Sequence, residues 1–428
     1  MTFAIVPDHA IVISPPVRSR WTVRTTGSLC AVLLLGAIFL PTSSDGTLRP
    51  SADLAIAGVA TSSNWLMVLY WRRHVRALDA VLVGVGVGAL ALATATSPFY
   101  GTFSFGSIPY LASLFGMLLV RPPNRLIATA IRSLDTAAAI ASWVLVAWGA
   151  GVVLGSAAVQ TMTIRYFPAF YQDLVRFMVI EVRHPVGPFG THSVAGFWYF
   201  LLFLIAYRRW LVRHQPSALL LAVSLLAVLA LLRSFTAVFL GALAIGVMMV
   251  PSAAFPRPTD AGDRTWRRRS TVAIWAAAIL TLVRAFRTLN AYGESIFGVQ
   301  FGGFSGRYSL SSGRIYDTLV YLRQHPLAFI GITKSSRVVF GDSGLIEFYL
   351  RGGPLLLVSI YGLWGRLLWH LSFRGRTWLL LFAGLLAFDV GFTALTLARL
   401  QLALIPLLLA LRSAGIDPRT STRHIAAP

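Results

Sequence analysis

The chain alternates between long apolar runs and short polar joints, and the joints hold most of its arginines. The runs lie near residues 27–41, 52–70, 78–96, 105–120, 134–159, 190–207, 217–232, 235–250, 270–285, 345–365, 377–391 and 396–411. Apolar length and flanking charge together predict an all-α polytopic integral membrane protein with about 12 transmembrane helices. Arginine tufts fall at alternate ends of these runs, at Arg18/Arg20/Arg24, Arg72/Arg73/Arg76, Arg121/Arg125/Arg132, Arg208/Arg209/Arg213, Arg257 to Arg269, Arg366/Arg374/Arg376 and Arg412/Arg419/Arg423. Basic residues collect on the cytoplasmic side, so both termini are expected there. The stretch 217–250 has basic tufts at both ends and must cross an even number of times, with a hairpin turn near Arg233–Thr236. The same parity splits 377–411 near Asp389–Leu395.

Composition narrows the class. The chain is 56% hydrophobic and 12% charged, with mean hydropathy +0.71, which excludes an ordinary soluble domain. Its net charge of +22 is almost wholly arginine, since Lys334 is the one lysine. Because those arginines sit in short tufts between apolar runs, they read as topology signals, and no nucleic-acid partner is expected. Cys30 stands alone inside the first run, so neither a disulfide framework nor a thiolate metal site is expected. No small-residue cleavage pattern follows that run before Pro41, so it is read as a crossing and not a cleaved leader. The organisation is then a cytoplasmic N-terminus (1–26), a membrane domain (27–411) and a cytoplasmic tail (412–428). Residues 251–269 form a cytoplasmic linker, and no internal repeat is visible.

Two polar segments, 160–189 and 286–344, fall on the outer side and are long enough to build a site. The first holds Arg165, Tyr166, Tyr171, Asp173, Arg176, Glu181, Arg183 and His184. The second is rich in arginine on the side where the positive-inside rule expects little, which calls for an anionic partner such as a lipid-linked phosphate. Within it, Ile315, Leu319 and Leu322 recur at helical spacing after Ser311–Ser312, and His325-Pro326 ends the helix. Asp342 stands at or near the N-cap of the next apolar helix. Most of these charges also have plain structural readings. Arg307, Arg323 and Lys334 suit a solvated surface, Arg351 can neutralise Glu347 at i, i+4, and Asp389 can pair with Arg399. Arg233, at a tight turn between apolar helices, is expensive unless paired or facing a cavity, which favours function. His184, His192 and His325 show no ligand spacing, so no metal is assigned.

The order of short motifs adds a further expectation. Ser234-Phe235-Thr236-Ala237 is followed by Ser312-Gly313-Arg314, by His325-Pro326-Leu327 with Gly331, and by Asp342-Ser343-Gly344-Leu345-Ile346-Glu347 leading to Gly352-Gly353. Upstream, Gly187-Pro188-Phe189 is followed by His192 and Ala195. Over roughly residues 180–360 this resembles the O-antigen polymerase/O-antigen ligase superfamily of bacterial surface-polysaccharide enzymes. The resemblance implies a GT-C-like fold in the bacterial cytoplasmic (inner) membrane, with the active site on the outer face. It implies glycosyl transfer from a polyprenyl-diphosphate-linked glycan with neither metal nor cofactor, and other polysaccharide-assembly membrane proteins as partners. Such chemistry needs cations on the leaving diphosphate and a base for the acceptor hydroxyl. Arg176, Arg183, Arg233, Arg314 and Arg337 are the candidate cations, and Asp342, Glu347, His325 or Glu181 the candidate base. Two departures matter. Phe235 stands where many members have arginine, the nearest here being Arg233. Asp342 stands where the ligases have a histidine, which favours the polymerase branch. Ligase-type transfer and a lipid-linked oligosaccharide flippase are the alternatives, the second weakened by the lack of two matching halves.

Overall fold

The computed structural model describes residues 20–39, 52–96, 107–232, 234–249, 314–331, 343–373 and 375–415. Of these, 87% are helical and none lies in a strand. The helices are α1 (Arg20–Phe39), α2 (Ala52–Tyr70), α3 (Ala77–Thr96), α4 (Ser107–Leu119), α5 (Asn124–Val153), α6 (Ala157–Tyr166) and α7 (Gln172–Arg176). After them come α8 (His192–Arg213), α9 (Pro216–Leu231), α10 (Phe235–Met249), α11 (Arg314–Gln324), α12 (Gly344–His370), α13 (Gly375–Gly391) and α14 (Ala398–Ala414). Among the described residues, α3, the Ser133–Val153 part of α5, and α8 are long and apolar enough to cross a membrane. The stretches 217–250 and 377–411 each divide into two helices, α9 with α10 and α13 with α14. One expected crossing is divided: the 134–159 run breaks after α5 at Gly155, whose φ of 76° is a conformation glycine adopts without a Cβ penalty. The segment 160–189, expected on the outer side, is also largely helical, through α6, α7 and a π-turn over Phe177–Glu181.

Burial separates central from peripheral helices. The apolar window of α8 is 89% buried inside the bundle against 28% for α3, so α8 is central and α3 turns its apolar side chains outward. Val81, Val87 and Leu92 on α3, like Ile140 and Trp143 on α5 and Leu220 on α9, are exposed. An outward apolar surface is what a helix facing lipid presents. The last helix, α14, is the second central element and packs against α1, α2, α4, α5 and α8. Its Gln401 joins a buried polar network. Asn64 donates to the Gln401 carbonyl (2.9 Å), Thr61 to Ser113 (2.8 Å), and Ser113 to the Gln401 side chain. With no water in an apolar interior, such groups must satisfy each other, and here they tie α2 and α4 to α14.

Five of the arginine tufts converge on one end of this bundle. Asp79 accepts from Arg121 (3.0 Å) and Arg366 (3.2 Å), and Asp135 from Arg209 and Arg213 (2.6 Å each). Arg213 also reaches the Ser413 carbonyl (3.0 Å), the Arg208 guanidinium lies 5.7 Å from the Phe373 ring centroid, and His370 Nε2 meets the Pro122 carbonyl (2.9 Å). Tufts far apart in sequence thus share one face, as alternation along a serpentine chain requires.

Candidate functional site

At the opposite end, the start of α12 packs on the α13–α14 turn. Ser343 is the N-cap: its Oγ accepts from the Ile346 N–H (3.5 Å) and donates to the Asp389 carbonyl (3.1 Å). The cap therefore lies one position after Asp342, which was expected at or near it; Asp342 itself lies outside the described residues. Gly344 lets the two segments approach, since a Cβ there would stand 3.0 Å from the Asp389 carboxyl carbon. Asp389 is fully buried, with Oδ2 accepting from the Tyr361 hydroxyl (2.9 Å) and Oδ1 from the Ala394 N–H (2.8 Å). The expected Asp389–Arg399 pair is not what forms. Arg399 instead donates to the Pro188 carbonyl (2.6 Å) and so ties α14 to the Gly187–Phe189 turn.

One turn into α12, Glu347 Oε1 accepts from both Arg351 Nε (3.0 Å) and Nη2 (2.7 Å). This is the i, i+4 pair expected from spacing, with both side chains largely buried, at 10% and 13% exposure. Just beyond it the helix kinks. Gly352 and Gly353 leave helical geometry, Gly353 at φ 65°, ψ −165°, and Pro354 follows. The kink has an external cause. Gly331 (φ 113°) and Gly353 bring two backbones into contact: a Cβ on Gly331 would lie 2.5 Å from Gly352 Cα, and one on Gly353 would lie 2.7 Å from the Phe329 and Ile330 carbonyl oxygens. The helical turn Pro326–Phe329 is thereby seated on α12, with Ala328 and Leu350 buried between them and Tyr321, Leu322, Ile346 and Tyr349 around the pair.

This docking places His325 and the Glu347–Arg351 pair on elements that pack together. His325 joins α11 to the Pro326 turn, is exposed, and has its ring 4.6 Å from that of Tyr321 between centroids. Arg314 is the first residue of α11. Arg176, closing α7, and Arg183 are both exposed; Arg183 takes φ 56°, with its guanidinium over Gly155. Arg233 and Arg337 lie outside the described residues. In the same region, Tyr166 donates to the Phe39 carbonyl, and burial pushes its hydroxyl pKa up, partly offset by the charge of Arg399. Gly196 on α8 accommodates the α9–α10 hairpin, where a Cβ would meet Ser234 Oγ at 2.8 Å and Ala237 Cβ at 3.0 Å.

Several motif residues thus turn out to be points of close packing: Gly331 meets Gly352–Gly353 backbone to backbone, Ser234 and Ala237 face Gly196, and the Pro188 carbonyl accepts from Arg399. The sequence reading missed the Asp389–Tyr361–Ser343 junction. Its signal was a carboxylate inside the apolar run Leu385–Val390, where an unpaired charge is costly. Among the described residues, no three of His, Cys, Asp and Glu gather closely enough to hold a metal ion. Glu347 is thus oriented by Arg351 on a helix that packs against the turn following His325, and a carboxylate and an imidazole are side chains that can accept a proton. No family model matches the chain, and none of the curated proteins or solved structures does.

Proposed function

We propose that this chain is a multi-pass membrane glycosyltransferase, with about 12 crossings and a GT-C-like architecture, that polymerises polyprenyl-diphosphate-linked oligosaccharide repeat units at the outer face of a bacterial cytoplasmic membrane. The observation that carries the reading is the seating of the His325–Gly331 segment on the Glu347–Gly353 segment of α12. Two stretches singled out by motif order alone are in contact, and they bear the carboxylate and imidazole the reaction calls for. The gathering of arginine tufts at the other end supports a cytoplasmic assignment for that end and an outer one for this.

In this reading Asp342, Glu347 or His325 takes the proton from the acceptor hydroxyl. The hydroxyl oxygen bonds to the anomeric carbon of the donor sugar as the bond from that carbon to the diphosphate oxygen breaks. Negative charge develops on the departing polyprenyl diphosphate, and Arg176, Arg183, Arg233, Arg314 and Arg337 are the cations proposed to receive it. Arg351 orients Glu347 by its two hydrogen bonds. Deleting the gene and displaying the surface glycan by size tests the assignment. Products of a single repeat are expected. Full polymer retained on its lipid carrier would indicate a ligase, and precursor trapped on the cytoplasmic leaflet a transporter.

A further inference from the structure

The arginine-rich end of the bundle encloses a cavity of about 290 Å³ where the start of α3, the α4–α5 joint and the end of α12 meet. Its charged and titratable lining is His74, Arg76, Asp79, Arg121, Arg366 and His370. Asp79 is the one acidic member among the described residues, and its capacity is already committed. Oδ2 accepts the backbone N–H of Arg76 (3.0 Å), closing the first turn of α3 as the acidic half of a capping box, while Oδ1 is shared by Arg121 Nη2 (3.0 Å) and Arg366 Nε (3.2 Å). One carboxylate therefore serves two guanidiniums, and a third, Arg76, belongs to the same wall. The His74 and His370 rings stand 6.3 Å apart between centroids on that wall. Buried Arg121 (1% exposed) is held further by the Leu118 (2.6 Å) and Val120 (3.1 Å) carbonyls. Its position is fixed before any ligand arrives, whereas Arg366 gives only Nε to Asp79.

Cations gathered around a partly enclosed volume attract an anion, because they repel one another and Arg121 among them is buried. Guanidiniums favour tetrahedral phosphate through paired N–H donors. The volume lies at the low end of small-molecule sites, which suits a phosphate group and not a large ligand. Trp369 lines the cavity and is half exposed (49%), the side chain typical of a membrane–water boundary. We infer that this cavity binds a phosphate group at the cytoplasmic face, either on the headgroup of an anionic lipid or as free phosphate. The site is separate from the proposed glycosyl-transfer site and does not depend on it, since it lies at the opposite end of the bundle.

The test uses the full-length protein, delipidated in a maltoside detergent, which carries no phosphate. Phosphatidylglycerol, dioleoylglycerol and inorganic phosphate are titrated separately at matched ionic strength, with binding read by native mass spectrometry and by the thermal midpoint. Saturable binding of phosphatidylglycerol without dioleoylglycerol, and without inorganic phosphate, identifies a headgroup site; binding of inorganic phosphate identifies a free-phosphate site. Arg76→Gln spares the structural bond of Arg76, which is made by its backbone N–H, and should weaken binding about fivefold. Arg366→Gln should act similarly and the pair about 25-fold. If Arg366→Gln fails to fold, Arg76→Gln decides alone. Binding to neither phosphate probe, equal binding of dioleoylglycerol, or an unchanged affinity in Arg76→Gln would overturn the inference.

Discussion

Replacing Gly353 by alanine should release the His325–Gly331 segment from α12 without unfolding the bundle. Two costs add at this position. Gly353 lies at φ 65°, ψ −165°, a region essentially reserved for glycine, where a side chain costs about 1–3 kcal/mol. The new Cβ would also stand 2.7 Å from two carbonyl oxygens, of Phe329 and Ile330. These are backbone atoms that no rotamer change can move, and overpacking of this kind costs about 1–3 kcal/mol. The smaller values together give about 2 kcal/mol against the docked arrangement, roughly 30-fold in its equilibrium. The cost is escaped by lifting residues 326–331 away, because among the described residues a small apolar cluster holds them down. Hydrogen–deuterium exchange read by mass spectrometry is the local assay: peptides over 326–331 should exchange faster while those from α8 and α14 stay protected. Gly88→Ala is the control, since nothing lies within 4 Å of its new Cβ on α3 and alanine favours a helix by about 0.5–1 kcal/mol. Exchange over 326–331 no faster in Gly353→Ala than in Gly88→Ala would refute the reasoning.

Arg351→Ala should destabilise by about 1.5–3 kcal/mol because it strips a largely buried carboxylate of its charged donor. A double-mutant cycle with Glu347→Gln, followed by thermal denaturation, should recover much of that loss; purely additive effects would deny the coupling. Arg314→Lys keeps the charge but loses the planar fork, so polymer formation should fall nearly as far as in Arg314→Ala, while Arg323→Ala on the exposed end of α11 should retain it; equal tolerance at both positions removes Arg314 from the site. Ser343→Ala, which deletes the cap, should cost about 1 kcal/mol of thermal stability. Asp342→Asn should leave stability unchanged yet lower chain extension ~100- to 10,000-fold if Asp342 is the base. Full-length polymer from a normally expressed Asp342→Asn protein would shift that role to Glu347 or His325.

What could be read from the sequence followed from features local in the chain. Apolar length located most of the described helices, and charge parity the breaks between α9 and α10 and between α13 and α14; the 270–285 run lies outside the described residues. Glu347 and Arg351 were legible as an i, i+4 pair, and His325-Pro326 as a helix end, for the same local reason. What escaped depends on contacts between distant segments. Nothing along the chain says that Asp389 prefers Tyr361 to Arg399, a choice made when the α13–α14 turn meets the start of α12. The choice of Ser343 as the cap has a related reason: Ser343 can cap and also donate to the Asp389 carbonyl, whereas a carboxylate there could only accept. Gly331 and Gly353 stood out as motif letters, but the backbone contacts they permit appear only once the segments pack. Asp79, just after the Arg72/Arg73/Arg76 tuft, gave no hint that it would collect donors from three separate segments.

The central proposal is chain extension of lipid-linked oligosaccharides by this protein alone, and reconstitution measures it directly. Purified full-length protein in liposomes would be supplied with polyprenyl-diphosphate-linked repeat units, and the glycans released and separated by size. A ladder of increasing repeat number is expected, with polyprenyl diphosphate released in step with each added unit. The ladder should vanish in the Glu347→Gln/Asp342→Asn/His325→Ala triple variant. Repeat units left at their starting length by correctly inserted, stable protein, or a ladder unchanged in the triple variant, would contradict the account.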